Sequence, residues 1–119
     1  MKRNMDLIRE ILLYIESNQI DVNSIDITLQ NYSEYEITYH LKLLSEAGLV
    51  EINNSYENGA GINTNANRLT WSGHDFIESA KEPKRWESMK KIITEKAGSV
   101  PFEILQKILI KLIQGEINL

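Results

Sequence analysis

The stretch from Tyr32 to Thr70 constrains the fold of this chain more than any other part. It opens with a predicted helix over Ser33 to Ala47, continues as a strand over Leu49 to Ile52, and returns as a second strand over Arg68 to Thr70. Both strands are short and rich in apolar residues, and they are separated by a segment that favours turns. The order predicts a helix followed by a two-stranded sheet, and therefore an α+β fold.

Local signals mark both ends of the predicted helix. Ser33 and Glu36 have the spacing of a capping box, in which each side chain accepts a hydrogen bond from the other residue's backbone N–H. Gly48 supplies the positive φ angle at which helices commonly end. The apolar face of this helix is formed by Ile37, Leu41, Leu44 and Ala47.

The segment from Asn53 to Asn67 is predicted to be a loop. It contains asparagines at 53, 54, 58, 63, 65 and 67, together with Gly59 and Gly61. Asn and Gly are the residues that turns favour, because both tolerate positive φ angles.

Upstream, the apolar spacing predicts a first helix over Asn4 to Ser17, with Asn4 as its cap. Between residues 19 and 32 the β-branched residues alternate approximately with polar ones, which predicts a short strand over Ile25 to Leu29. A usual helix-turn-helix has a further helix here. The sequence leaves little room for it, so that helix is either very short or missing.

Downstream, three more helices are predicted. Thr70 or Ser72 caps the third, the fourth covers Lys84 to Ala97 after Pro83, and the fifth is capped by Ser99 and ends at Gly115. Trp71 and Phe76 lie in the third helix. Their spacing favours a place in the core over a role as base-stacking platforms. We expect one domain over residues 1–119, with a C-terminal helical extension over about residues 83–115.

Two motifs in this order resemble those of winged-helix proteins. The segment Leu44-Ser45-Glu46-Ala47-Gly48-Leu49-Val50 is similar to the end of a recognition helix entering the wing, and Leu69-Thr70-Trp71-Ser72-Gly73 is similar to the segment that follows the wing. The resemblance implies a winged helix-turn-helix-like core of helix, short strand, helix and two-stranded wing, followed by C-terminal helices.

A second resemblance covers nearly the whole chain. Its start, Met1-Lys2-Arg3-Asn4-Met5-Asp6-Leu7-Ile8-Arg9, and the later segment Arg68-Leu69-Thr70-Trp71-Ser72-Gly73-His74-Asp75-Phe76 resemble a family of small uncharacterised proteins from bacteriophages, prophages and mobile elements, mostly of Firmicutes. That family usually has Asp where this chain has Asn4, a change that keeps the capping role. The resemblance implies a mobile-element origin and transfers no catalytic residues.

Composition narrows the possible classes of protein. The 119 residues are 42% hydrophobic and include no cysteine, which excludes a disulfide framework and thiolate metal sites. No apolar run approaches the roughly 18 residues that span a bilayer, and the N-terminus lacks the features of a signal peptide. We therefore expect a cytoplasmic protein with no membrane partner, and the resemblance to phage and prophage proteins implies that the cell is a bacterial host.

The charge is unevenly distributed along the chain. The net charge is −4, and between Glu10 and Asn67 the only basic residue is Lys42, against nine acidic ones. Proteins that hold DNA through its phosphates usually have at least one basic face. Basic residues gather instead near the N-terminus, at Lys2, Arg3 and Arg9, and between Lys81 and Lys96.

If the chain reads DNA, the second predicted helix supplies the base contacts. Its first turns carry the candidates Tyr35, Thr38, Tyr39 and Lys42, while Glu34 nearby is electrostatically unfavourable beside phosphates. The candidate phosphate contacts are Arg68, Lys84 and Arg85. By default, the basic stretch that contains the last two is the solvated face of an amphipathic helix.

His40 and His74, the two histidines, are weak candidates for a catalytic or metal site. A zinc site needs three or four ligands, and no His-x-x-x-His pair, nucleophile elbow or phosphate-binding glycine loop occurs. The favoured interpretation is that each imidazole anchors a loop, with His40 at the helix edge and His74 bonded to the wing backbone. We expect no cofactor, no metal and no catalytic residues.

The fifth helix is broadly apolar, with eight aliphatic or aromatic residues in twelve. A peripheral helix normally has a narrower apolar face, so this one is either central to the fold or pairs with a second copy. We expect a homodimer. Its predicted interface is formed by Leu105, Ile108, Leu109 and Leu112.

Two functional hypotheses follow. The first is a non-catalytic phage or mobile-element regulator that binds operator DNA as a homodimer. The second is a phage-encoded inhibitor of a host protein, such as a CRISPR or other defence nuclease, whose acidic surface occupies a basic nucleic-acid site. The fold resemblance favours the first, and the acidic helix favours the second.

Overall fold

The structure, a computed structural model, describes residues 2–18, 24–56, 62–96 and 100–115. In these residues it contains five α-helices and one two-stranded antiparallel sheet, which confirms the α+β class. The elements are α1 (Met5–Asn18), α2 (Glu34–Glu46), β1 (Val50–Tyr56), β2 (Ile62–Leu69), α3 (Trp71–Ala80), α4 (Pro83–Lys96) and α5 (Phe102–Gln114).

The chain divides into two compact units, Met1–His74 and Asp75–Leu119. In the first, α2 packs against α1 and against both strands, and α1 also contacts β2. Burying these apolar faces supplies most of the stabilisation of such short elements, since isolated helices of this length are marginal in water. The core residues that α1, α2 and the sheet supply are Leu7, Ile11, Leu12, Ile15, Ile37, Leu41, Leu44, Val50, Ala66 and Leu69.

The predicted caps of α1 and α2 are confirmed. The backbone N–H of Leu7 donates to Asn4 Oδ1 (3.1 Å) at the start of α1. Ser33 and Glu36 form the reciprocal capping box of α2, with both bonds present. Such a cap is worth about 1 kcal/mol, because it satisfies backbone donors that the first helical turn leaves without partners.

The prediction of a long loop over residues 53–67 is wrong. The strands are longer than expected, and Asn53 pairs with Asn65 and Asn54 with Thr64 in a regular antiparallel register that has one irregularity near Glu51. Ladder bonds join backbone atoms, so a strand can form from residues whose side chains favour turns. Residues 57–61 of the predicted loop lie outside the described residues.

The predicted strand over Ile25 to Leu29 is also wrong. Only Ile25 bridges to the sheet, where its backbone N–H donates to the carbonyl of Ala66 (2.6 Å). The hydroxyl of Tyr14 donates to the carbonyl of Asp26 (3.2 Å) and fixes the same segment from α1. This segment is therefore held by two hydrogen bonds and does not form a third strand. Residues 24–32 contain no helix.

The two winged-helix-like motifs meet at one point, between the end of α2 and the start of α3. The Thr70 hydroxyl donates to the carbonyl of Gly48 (2.5 Å) and accepts from the N–H of Gly73 (3.1 Å). The backbone N–H of Thr70 donates to the carbonyl of Leu49 (2.9 Å). Gly48 has the expected positive φ of 78°. One threonine therefore caps α3 and ties it to the chain that leaves α2.

The second unit has an aromatic core. Phe76 makes an edge-to-face contact with Trp86 (ring centroids 6.4 Å apart) and a tilted contact with Phe102 (4.8 Å). Both distances lie in the range in which aromatic pairs attract. Helix α5 packs against α4 and ends at Gly115, as predicted, while its N-terminal cap is Pro101 and the predicted cap Ser99 lies outside the described residues.

The prediction that Trp71 belongs to the core is wrong. Its side chain is 83% exposed, whereas Phe76, predicted on the same grounds, is fully buried. Trp71 is the first residue of α3 and points away from the face that carries Phe76 and Ile77. In the described residues, no helix is both long and apolar enough to cross a membrane.

Candidate functional site

The solvent-facing side of α2 presents four of the predicted contact residues together. Tyr35, Thr38, Tyr39 and Lys42 are spaced by three and four residues, so they lie on one helical face. Tyr35 is 83% exposed and Tyr39 39% exposed, and Lys42 is also exposed. The opposite side of α2 is buried in the first unit, so this face is fixed by packing and is available to a partner.

His40 is buried between the start of α1 and the middle of α2, with an exposed fraction of 1%. Its Nδ1 lies 2.8 Å from the carbonyl of Glu36, and its Nε2 lies 2.8 Å from the backbone N–H of Asn4. A carbonyl only accepts and an N–H only donates, so Nδ1 carries the proton and the ring is neutral. The prediction that His40 anchors another segment is confirmed, and its predicted place at the helix edge is wrong.

The bond between Asn4 and His40 has an electrostatic consequence. Lys2 and Arg3 directly precede Asn4, and both are exposed. Because the backbone of Asn4 is tied to α2, these two basic residues are held near the middle of that helix. His40 belongs to the buried side of α2, so this bond brings the basic segment to the side of the helix that packs against α1.

Arg68, a predicted phosphate contact, is engaged within the sheet. Its Nε lies 2.5 Å from the carboxylate of Glu51 on the neighbouring strand, and its Nη1 donates to the carbonyl of Leu69 (3.1 Å). The side chains of Arg68 and Glu51 are 54% and 50% exposed. An ion pair this exposed contributes about 1 kcal/mol or less, so a phosphate could replace the carboxylate at little cost.

Lys84 and Arg85, the other predicted phosphate contacts, lie at the start of α4 in the second unit. The guanidinium of Arg85 donates to the carbonyl of Ser79 (3.0 Å) in the last turn of α3. Arg85 therefore stabilises the end of a helix, a favourable position for a cation. Lys84 is exposed. Both residues belong to the second unit, whereas α2 belongs to the first.

Glu82 caps α4, a role that the sequence interpretation missed. Its carboxylate accepts the backbone N–H groups of Arg85 (2.7 Å) and Lys84 (3.1 Å). These two bonds lower the pKa of the Glu82 carboxyl below its ordinary value. The signal was present as an acid directly before Pro83 at a helix start.

His74 is exposed at the first turns of α3. In the part of the chain that the structure describes, no three side chains of His, Cys, Asp or Glu converge to hold a metal ion. The predicted bond between His74 and the sheet backbone does not occur among the bonds of the described residues, because the side chain points to solvent.

The four residues predicted for a dimer interface lie on one face of α5, and the chain itself covers much of that face. Leu105 and Leu109 are buried within the chain itself, and Ile108 and Leu112 are half-buried. The burial of the two leucines accounts for part of the broad apolar face of α5. The residues that extend this face into solvent are Ile104, Ile110 and Ile113.

Several carboxylates lie near Tyr32, the residue that precedes the capping residue of α2. Burial raises the pKa of the Tyr32 hydroxyl, and the neighbouring carboxylate of Glu10, with which it forms a hydrogen bond, raises it further. Asp6 and Glu36 act in the same direction. Negative charge disfavours ionisation of a nearby tyrosine, so these carboxylates mark an acidic surface between α1 and α2.

The two units differ in charge. The unit Met1–His74 contains ten acidic and five basic residues, whereas Asp75–Leu119 contains seven acidic and eight basic ones. The acidic character of the chain therefore belongs to the unit that carries the α2 face. An anionic partner of that face would meet one cation on the face itself, Lys42.

Comparison with known proteins gives one family and one relative. The model of the family described as "Hypothetical protein (DUF2513)" matches residues 2–99. An "Uncharacterized protein" of Haemophilus influenzae (strain ATCC 51907 / DSM 11121 / KW20 / Rd) is 32% identical over 109 residues, which cover 91% of this chain and 92% of the relative. No solved structure matches.

Proposed function

We propose that this chain, which belongs to the family described as "Hypothetical protein (DUF2513)", is a non-catalytic transcription regulator that binds duplex DNA. In this proposal α2 is the recognition helix and β1 and β2 form the wing of a winged helix-turn-helix fold. The observation that carries the proposal is the α2 face formed by Tyr35, Thr38, Tyr39 and Lys42, on which both tyrosines and the lysine are exposed. The resemblance to phage and prophage proteins supports a mobile-element origin and action in the bacterial cytoplasm.

The winged-helix interpretation rests on the order and packing of the first unit. Helix α2 packs against α1 on one side and leads, through Gly48, into a two-stranded antiparallel sheet. A helix fixed in this way can enter a major groove, which admits one α-helix, while the strands reach the flanking backbone.

The chemistry of the α2 face suits a DNA contact. Hydroxyl groups of Tyr and Thr bind base edges and phosphate oxygens, and Lys42 adds a cation in the next turn. Three to four phosphate contacts from Lys2, Arg3, Lys42 and Arg68 give an expected log–log salt slope of about −2.7 to −3.6.

The test is a fluorescence-anisotropy titration of the intact protein onto duplex DNA from its own gene neighbourhood. We expect binding to weaken roughly 40- to 150-fold between 50 and 200 mM salt, as that slope requires. The absence of a salt-dependent change at micromolar protein would contradict a DNA-binding role.

We also propose that the regulator is a homodimer, which would match the two-fold symmetry of operators. The contact would include the exposed isoleucines of α5 rather than Leu105 and Leu109, which the chain already covers. Light scattering of the wild type should give a doubled mass, and Ile113→Glu should reduce it. A monomeric wild type would refute the dimer. DNA binding by a monomer would still be tested by the titration described above.

A second candidate function is favoured by one specific observation, the excess of ten acidic over five basic residues in the unit Met1–His74. An inhibitor of a host nuclease could use such a surface to occupy a basic nucleic-acid site, with exposed tyrosines as anchors. Affinity capture from a nuclease-treated bacterial lysate tests this function. Recovery of no stoichiometric protein at low salt would count against it.

A further inference from the structure

A cleft lies between α2, β2 and the segment around Asp26, all within the first unit. Its volume is about 330 Å³, at the lower end of the range of roughly 300–1,000 Å³ that small-molecule sites occupy. The side chains of Ile37 and Leu41 form an apolar floor, and both belong to the buried core. Its walls are polar and come from Asp26, Glu34, Thr38, Thr64 and Asn65.

The walls are fixed in place by bonds from three separate elements. The backbone N–H of Ile25 donates to Ala66 (2.6 Å), and Tyr14 donates to the carbonyl of Asp26 (3.2 Å). The amide nitrogen of Asn65 donates to Asp26 Oδ1 (3.0 Å) and to the carbonyl of Thr64 (3.2 Å). A ligand therefore meets a preformed cleft and loses little affinity to the ordering of its walls.

The residues that line the cleft determine whether it favours a cationic or an anionic ligand. Asp26 and Glu34 contribute two carboxylates, and no Lys, Arg or His stands among the described residues that line it. Threonine hydroxyls and the asparagine amide add acceptors, while Ile37 and Leu41 offer contact to an apolar body. An anion would be repelled here, and an uncharged apolar molecule would gain no interaction with either carboxylate.

We propose that this cleft is a binding site for a small organic cation, an amine or guanidinium with a short aliphatic body. The cationic head would bind Glu34 and Asp26, and the aliphatic part would lie over Ile37 and Leu41. The site does not depend on the proposed DNA-binding role. Since Thr38 lines the cleft and also belongs to the α2 face, a bound cation would sit directly beside that face.

The test uses n-butylguanidinium as the probe and the ¹H–¹⁵N chemical shifts of the intact protein as the readout. We expect saturable shifts at the backbone amides of Thr28, Thr38 and Asn65, with a dissociation constant of about 1–10 mM for so small a ligand. The neutral isostere n-butylurea should bind at least about tenfold more weakly, because it loses the charge-assisted bonds, and pentanoate should cause no shift.

Charge-neutralising variants distinguish specific binding in the cleft from non-specific attraction of a cation to a negatively charged protein. Glu34→Gln and Asp26→Asn should each weaken n-butylguanidinium about tenfold. Glu46→Gln removes the same charge from the exposed end of α2 and should leave affinity unchanged. Thr38→Val removes a hydroxyl group from the wall of the cleft without changing the charge, and it should also weaken binding of n-butylguanidinium. This variant tests the cleft independently of Glu34→Gln, which alters the first turn of α2.

Three outcomes would overturn the proposal. They are the absence of saturable shifts, equal affinity for n-butylurea, and equal weakening by Glu46→Gln and Glu34→Gln. The experiment contains no DNA, so its failure is separate from a failure of the proposed DNA-binding role.

Discussion

The imidazole of His40 accepts a hydrogen bond from the backbone N–H of Asn4 at 2.8 Å, across 36 residues of sequence. The same ring donates to the carbonyl of Glu36 one turn earlier in α2. One neutral histidine thus joins the first turn of α1 to the middle of α2. It also fixes the backbone position of Asn4, the residue that follows Lys2 and Arg3. Its role is structural.

Substituting His40 by alanine should destabilise the first unit by about 2–4 kcal/mol. The change opens a cavity in a buried site and leaves the N–H of Asn4 without its acceptor. Urea unfolding followed by circular dichroism measures the loss. His74→Ala is the matched control, and because His74 is exposed, it should change stability by about 0.5 kcal/mol or less. Equal effects of the two variants would contradict the structural role of His40.

Gly73→Ala should destabilise the protein by about 2 kcal/mol or more, although alanine normally stabilises a helix relative to glycine. A Cβ atom at position 73 would overlap the carbonyl oxygen of Leu49 and approach the Cβ of Leu69 to 3.3 Å. The carbonyl cannot move away freely, because it accepts the N–H of Thr70.

Gly48 provides the comparison, since its φ is +78° and no atom lies within 4 Å of a Cβ placed there. Gly48→Ala should cost about 1–2 kcal/mol from backbone strain, and Gly48→Asn less, because asparagine tolerates the left-handed region. At position 73 asparagine should be no better tolerated than alanine. Thermal unfolding of the four variants distinguishes steric overlap from backbone strain, and a stabilising Gly73→Ala would contradict the close approach.

Ser33→Ala should cost about 1 kcal/mol, because it removes one half of the capping box of α2. Ser72→Ala, in the first turn of α3, is the control, because the side chain of Ser72 is exposed and the cap of α3 is Thr70. Chemical denaturation of both variants measures the difference. Equal stability of both variants would mean that the capping box contributes nothing.

The Glu82 cap makes stability depend on pH. Two backbone N–H groups lower the pKa of its carboxyl in the folded protein, so the ionised form is favoured by folding. That stabilisation is present above the unfolded-state pKa of about 4.3 and is lost as pH falls through the lower folded-state value. Unfolding of wild type and Glu82→Gln at several pH values should show a difference that is constant near neutrality and shrinks below about pH 4. A difference independent of pH would contradict it.

Features that depend on neighbouring residues were predictable from the sequence. The capping box at Ser33 and the positive φ of Gly48 each follow from residues within one helical turn. The apolar face of α2 follows from the helical period in the same way. For that reason Tyr35, Thr38, Tyr39 and Lys42 fall on one face, as the spacing requires.

Features that depend on distant residues were not predictable. Nothing near Asn4 or His40 in the sequence indicates that they bond to each other. The asparagines at 53, 54 and 65 favour turns locally, yet backbone pairing between β1 and β2 places them in a ladder. The helical spacing predicts a place in the core for both Trp71 and Phe76, whereas Trp71, the first residue of α3, is exposed to solvent.

The most direct test of the α2 face as a DNA-binding surface is the affinity of Lys42→Ala for duplex DNA from the gene neighbourhood across a salt series. The control is Lys107→Ala, which removes the same charge from the exposed side of α5. We expect Lys42→Ala to weaken binding and to reduce the salt slope by about 1, the loss of one phosphate contact, while Lys107→Ala binds as the wild type does. Equal affinity of both variants and the wild type, or no salt-dependent binding by any of them, would contradict the proposal.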